Sequence, residues 1–335
     1  MGELIDRIEH DEINFLTGFQ RKAGLWDLTQ QSRLIESILL RLPLPAFYFD
    51  ETTDNKWQVI DGLQRTTVIK NFIVSKTLEL EKLEFLKEFN GKKYDELPRD
   101  LVRRIKTTPL TVYVVEKGTP DEVKFNIFKR INTGGLILTP QEIRHALNQG
   151  IPANFIAELA ELDEFKEATC NIINSDRMED RDFVTRFAAF YLIPFFEYEP
   201  DLDSFMTKGM ASLKYTTHQF RMEMKIAFIK SMNTAINIFG NDAFRKRENF
   251  GDRRKPLNKA IFETLSVCFS KLTLGEINTL ILNSRILQEK FIALNHDNKF
   301  LYSISSGTGQ LESVLTRFTE MNRIISETIN KVEND

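Results

Sequence analysis

The stretch Val59-Ile60-Asp61-Gly62-Leu63-Gln64-Arg65-Thr66-Thr67 decides how the first half of the chain is read. Val59 and Ile60 close a strand, Gly62 permits a tight turn, and Val68, Ile69, Phe72 and Ile73 beyond it recur at helical spacing. A strand that runs straight into a helix start leaves unpaired N–H groups at a positive dipole end, a natural seat for phosphate. Arg65 would add a forked, permanently charged donor set to the same anion, and Asp61 could hold a metal-bound water or a ribose hydroxyl. Plain turn chemistry fits the same letters, since Asp-Gly is a common turn dipeptide and Asp61 a reasonable N-cap.

Working outward, Leu34, Ile35, Ile38, Leu39 and Leu42 follow the N-cap candidate Asp27 at helical spacing, and Pro43 and Pro45 stop that helix. The runs 46–49 and 56–60 read as a hairpin. A further strand over 110–115 precedes a helix opened by Thr119-Pro120-Asp121-Glu122 and stopped near Gly134-Gly135. From Thr139-Pro140 onward the pattern is almost wholly helical, with helices expected over 142–148, 153–165, 181–192, 219–238, 258–272, 274–294 and 309–329. The expected architecture is α+β, an α/β domain over 1–150 followed by an all-α domain over 151–335.

Three further stretches carry candidate chemistry. In 125–135, Asn132 and two glycines suit close approach to a nucleotide, although a helix C-cap and loop would look the same. In 19–26, Arg21 and Trp26 offer an anion contact and a stacking ring, or an ordinary half-buried tryptophan beside a surface arginine. In 244–256, Arg245, Lys246, Arg247, Arg253, Arg254 and Lys255 stand against two acids and could touch a nucleic-acid backbone, with a solvated loop as the alternative. A looser cluster comprises Lys92, Lys93, Arg99, Arg103, Arg104 and Lys106.

Over all 335 residues, 45 Lys plus Arg against 48 Asp plus Glu exclude a polycationic nucleic-acid sponge and an acidic disordered tail. Cys170 and Cys268 are too far apart for a zinc-type spacing and read as buried apolar residues in a reducing compartment. The four histidines are isolated from one another, no metal ligand set is visible, and His145 reads as structural. The N-terminus lacks a signal-peptide pattern and no apolar run is long enough to span a bilayer, so a cytoplasmic protein without membrane contact is expected.

Taken in order, Gln20-Arg21 with Trp26, Leu34-Ile35-Glu36-Ser37-Ile38-Leu39-Leu40 leading to Pro43-Leu44-Pro45, Asp61-Gly62-Leu63-Gln64-Arg65, and 128–132 with Leu138 and Glu142 resemble the GmrSD-type restriction endonuclease N-terminal domain family of the ParB and sulfiredoxin-like superfamily. Asp176-Arg177-Met178, Arg186-Phe187 and the segment 254–262 look like that family's helical part. The resemblance implies a ParB-like α/β domain and a nucleoside triphosphate, with Mg²⁺, bound by Arg21, Asp61, Gly62, Gln64, Arg65, Thr66 and Asn132. Asp61, Gln64 and Arg65 would be the catalytic set. The family's usual D-G-Q-Q-R carries a glutamine where this chain has Leu63, which puts turnover in doubt. Many relatives add a His-Asn-His nuclease domain whose residues are missing here, so a stand-alone member is expected. The function expected is a nucleotide-binding regulatory protein of a bacterial restriction or phage-defence system, a Mg-dependent triphosphatase at most, with DNA and a separate nuclease or effector subunit as partners. The alternative is a non-enzymatic DNA-binding or modified-DNA-sensing module.

Overall fold

A computed structural model describes residues 1–15, 26–51, 56–131 and 138–330. Arg21 and Asn132 lie outside the described residues. The chain divides into two compact units, Met1–Ile137 and Leu138–Asp335, each with its own apolar core.

The first unit runs α1 (Gly2–Glu9), β1 (Ile13–Asn14), α2 (Leu28–Leu39), β2 (Phe47–Glu51), β3 (Trp57–Asp61), α3 (Leu63–Ile69), α4 (Arg99–Thr107), β4 (Val112–Val115) and α5 (Asp121–Ile131). The sheet order is β1-β3-β2-β4. The β2–β3 hairpin is antiparallel, and β1 and β4 join its outer edges in parallel. Asp27 caps α2 through a reciprocal box with Gln30, as its position before the apolar repeat predicts. The helix ends in a Schellman closure, Leu42 N–H to Ser37 and Arg41 N–H to Ile38, with Arg41 at φ 57° where glycine is favoured. Ile35, Ile38 and Leu39 of α2, Phe47 and Phe49 of β2, Val59 of β3 and Val68 and Ile69 of α3 meet in the core. Buried Glu36 accepts N–H groups from Glu84, Phe85 and Leu86. Burial pushes its carboxyl up, but those three donors hold it below the ordinary range.

The second unit contains α6 (Pro140–Leu147), α7 (Ile151–Ala160), α8 (Asp163–Ala168), α9 (Glu179–Leu192), α10 (Leu202–Ser212), α11 (His218–Phe239), α12 (Lys259–Ser270), α13 (Leu274–Leu282), α14 (Ser284–His296), α15 (Asn298–Ser305) and α16 (Leu311–Asn330). Helix α6 packs against α9 and α10, which draws the division of the chain to 137/138, ahead of the change of character seen in the sequence near 150. The expected helix over 274–294 breaks at Asn283, whose side-chain amide donates to the Thr279 carbonyl. The one over 153–165 breaks before Leu162. Helix α10 escapes the apolar pattern because Gly209 interrupts it. A Cβ there would lie 2.6 Å from the Ala189 Cα, so the glycine lets α10 close on α9.

A chain of ion pairs threads this unit. Arg144, 1% exposed, donates to Asp203 and to Asp182, each at 3.0 Å. Asp182 also meets Arg186 at 3.4 Å and Lys259 at 2.9 Å. Burial pushes the Asp182 carboxyl up, but Arg186, Lys259 and Arg144 together hold it at about 2. Arg186 reaches Glu263 at 2.7 Å, and Arg317 donates to the other oxygen of the same carboxylate. Glu263 and Arg317 are wholly buried. Arg317 also donates to the carbonyls of Ser303 and Thr308. The chain therefore ties α6, α9, α10, α12 and α16 together. Replacing Glu263 with Ala strands two buried guanidinium groups, and the expected loss is about 3–5 kcal/mol of unfolding free energy, read by urea denaturation.

His145 of α6 lies 3.2 Å from Arg181. Burial first, and then that cation, pull its pKa from 6.5 to about 4. It is therefore neutral when folded, whereas the unfolded chain takes up a proton near 6.5, so its contribution is intact above 6.5 and is lost as pH falls toward 4. In a His145→Gln variant, unfolding free energy should fall less steeply across that window than in the wild type, measured by denaturant titration at stepped pH.

Candidate functional site

The candidate site is the turn from β3 into α3. Tyr48 pairs with Asp61 and Phe49 with Val59, so Ile60 is an extra residue on β3. This bulge sits immediately before the carboxylate and sets its direction. Gly62 follows at φ 94°, and a Cβ on it would fall 2.9 Å from Phe47 Cδ1 and 3.3 Å from Arg65 Nη2. Both the backbone angle and the space therefore demand glycine. No side chain caps α3, whereas Asp27 caps α2. The helix passes directly into a π-helical turn, Lys70–Val74, a distortion often met near functional sites.

Arg65 does not reach outward as the motif alone suggests. Its guanidinium donates to the carbonyls of Pro45 and Ala46 (the latter at 3.1 Å) and to Asp61 Oδ2 at 2.9 Å, and lies 4.5 Å from the Phe47 ring centre. Burial lowers its pKa and the Asp61 charge opposes that fall. The side chain is thus a clamp between the start of β2 and the β3–α3 turn. Thr66 is fully buried and its hydroxyl donates to the Gly62 carbonyl at 2.9 Å, which gives it the same structural part. Gln64 is half-exposed, and its Oε1 accepts the Trp26 N–H at 3.4 Å. The structure therefore brings Asp61, Gly62, Gln64 and Arg65 together with Trp26.

Two features escaped the sequence. Tyr48, the cross-strand partner of Asp61, stacks on Tyr113 of β4 with ring centres 5.1 Å apart and planes 19° apart. Tyr113 is 54% exposed, so an aromatic ledge borders the carboxylate on its own face of the sheet. At the other end of β2, buried Asp50 pairs with Lys124 of α5 at 2.6 Å, and burial pushes its carboxyl up. Alternating Tyr48 and Asp50 on an aromatic strand was the available signal.

The strip 245–255 is not a continuous cationic surface. Arg245, 2% exposed, points inward and donates to the carbonyls of Asn241 and Lys255. Arg247 pairs with Asp242 at 2.5 Å, Lys255 with Glu248 at 3.4 Å, and Lys246 with the Ser305 hydroxyl. Arg253 and Arg254 remain exposed, Arg254 lying 3.8 Å from the Cys170 sulfur. Cys170 is consequently only half-buried, unlike Cys268, whose thiol burial pushes up to about 12. Among the described residues no group of three or more His, Cys, Asp or Glu could hold a metal ion, and no helix is long and apolar enough to cross a membrane.

A small mixed sheet with a strand-to-helix turn at Gly62 and a separate helical unit define an α+β protein. Residues 1–148 match the family described as GmrSD restriction endonuclease, N-terminal domain. That match implies a role in a restriction or phage-defence system. No curated protein matches the chain.

Arg65→Ala should destabilise the first unit by about 3 kcal/mol, because it strands two backbone carbonyls and a partly buried carboxylate. Gly62→Ala should be at least as damaging, and loss of the cooperative thermal transition or a lowered melting temperature would check both.

Proposed function

We propose that the protein is a nucleotide-binding regulatory component of a bacterial restriction system, with phosphate seated on the 61–64 turn and the base on the Tyr48–Tyr113 ledge. The single observation that carries this reading is the juxtaposition of an uncapped helix start, a half-exposed carboxylate and a stacked tyrosine pair around one bulged strand end. In this reading the backbone N–H groups of the first turn face the phosphate. Arg65 holds the turn and Asp61 in position, and charges the seat from behind. One carboxylate that commits its Oδ2 to Arg65 suits a Mg²⁺ ion carried largely by the nucleotide's own phosphates, a mode common for this ion. The ion would neutralise phosphate charge there.

Binding is better supported than turnover. Leu63 packs its side chain against the core, supplying no polar group, and Gln64 is engaged by Trp26. Hydrolysis should therefore be slow, and the bound nucleotide would act as a signal to an effector or nuclease subunit that acts on DNA. Arg21 and Asn132 remain part of the proposed binding set from the family resemblance.

In thermal-shift measurements, millimolar ATP, GTP, CTP and UTP with Mg²⁺ should be compared. At least one should raise the melting temperature, a hundredfold excess over Kd being worth about 2.7 kcal/mol. Asp61→Asn, which keeps an acceptor for Arg65, should fold normally and lose the shift. Tyr113→Ala should weaken binding about fivefold or more, the usual worth of one stacked base. No shift with any of the four nucleotides would defeat the proposal.

A further inference from the structure

We infer that the exposed face of α4, together with Arg41 from the turn that ends α2, is a docking surface for the sugar-phosphate backbone of duplex DNA. This stands on residues separate from the nucleotide site. Arg41, Arg99, Arg103 and Arg104 line a shallow basin of about 690 Å³ with Asp100 and Thr107. Arg99, Arg103 and Lys106 fall on one side of α4 at spacings of four and three residues. At 1.5 Å per residue they span roughly 10 Å, against about 3.4 Å of axis per phosphate along one DNA strand. The row therefore matches about three consecutive phosphates of one strand.

These cations are available in a way that most of those of 245–255 are not. Among the described residues, none of Arg41, Arg99, Arg103, Arg104 and Lys106 is within ion-pair distance of a carboxylate, whereas Arg247 and Lys255 are both paired. Arg104 donates to the Leu39 carbonyl at 3.2 Å, which fixes the end of α2, and hence Arg41, beside α4. Arg41 holds the left-handed backbone position that glycine would occupy more comfortably, and its side chain is exposed at the basin. A guanidinium thus stands where the backbone angle alone favours glycine.

The lining also indicates which nucleic acid. It contains no aromatic ring on which unpaired bases could stack, and no Asn or Gln to read a base edge. Fixed cations without stacking or amide groups suit a duplex backbone, read without sequence preference. The near-neutral chain would then meet DNA through this local patch.

Fluorescence anisotropy on the full chain, with a labelled duplex about two turns long, tests this. Binding should be equal for unrelated sequences and should fall steeply with salt, with a log–log slope near −3 for about three phosphate contacts. Arg99→Glu with Arg103→Glu should keep the wild-type melting temperature, weaken binding at least tenfold and flatten the slope by about 2. Should the reversals perturb folding, Arg99→Ala with Arg103→Ala serves the same purpose. Arg41→Gly should weaken binding while leaving the melting temperature unchanged or raised. Wild-type affinity in the charge-reversal variant, loss of binding in Arg253→Glu with Arg254→Glu instead, or tighter binding of single strands or duplex RNA would each overturn the assignment.

Discussion

The Glu263 carboxylate, with no access to water, lies between the guanidinium groups of Arg186 and Arg317, and the helical unit is arranged so that neither oxygen loses its partner. A buried charge is tolerable only when paired, and pairing requires fixed distances. The requirement passes from Glu263 through Arg186 to Asp182, and from there through Arg144 to Asp203. Each helix in that series has its rotation about its own axis set by a charge that must face its neighbour. Apolar packing would tolerate several such rotations, so the ion pairs add selectivity among packings more than net stability.

The first unit applies the same rule at smaller scale. Arg65 is drawn inward by two backbone carbonyls and Asp61, and the aromatic face of Phe47 covers it. The motif's most conspicuous cation is therefore a brace, and it leaves the main-chain N–H groups of the first turn and the half-exposed Asp61 carboxylate as the groups a ligand would meet in the proposed reading. In the proposed reading the anion seat is shaped before any ligand arrives, because none of its groups needs to move to satisfy another.

How far this could be read from letters depends on whether a residue's partners are local. The Asp27 cap, the hairpin and the strand-to-helix turn at Gly62 rest on spacings of a few residues, and they emerge directly. Arg65 answers to carbonyls of residues 45 and 46, and main-chain acceptors leave no mark in side-chain identity. The charge run 245–255 looks like surface until Arg245 turns inward and Asp242, outside the run, neutralises Arg247. Gly209 suggests a break where the structure uses it for close packing on Ala189. Family resemblance carried the N-terminal assignment further than any one spacing, since it rests on the order of several motifs.

The extra residue Ile60 has a consequence for how this domain can vary. Strand side chains alternate between faces, so in a regular ladder of the same residues Ile60 would lie opposite Tyr48 and the carboxylate would turn to the other face. The bulge, and not the alternation of the strand, thus decides which face the carboxylate takes. A substitution that regularised the ladder at residue 60 would redirect the carboxylate without touching any group of the turn itself.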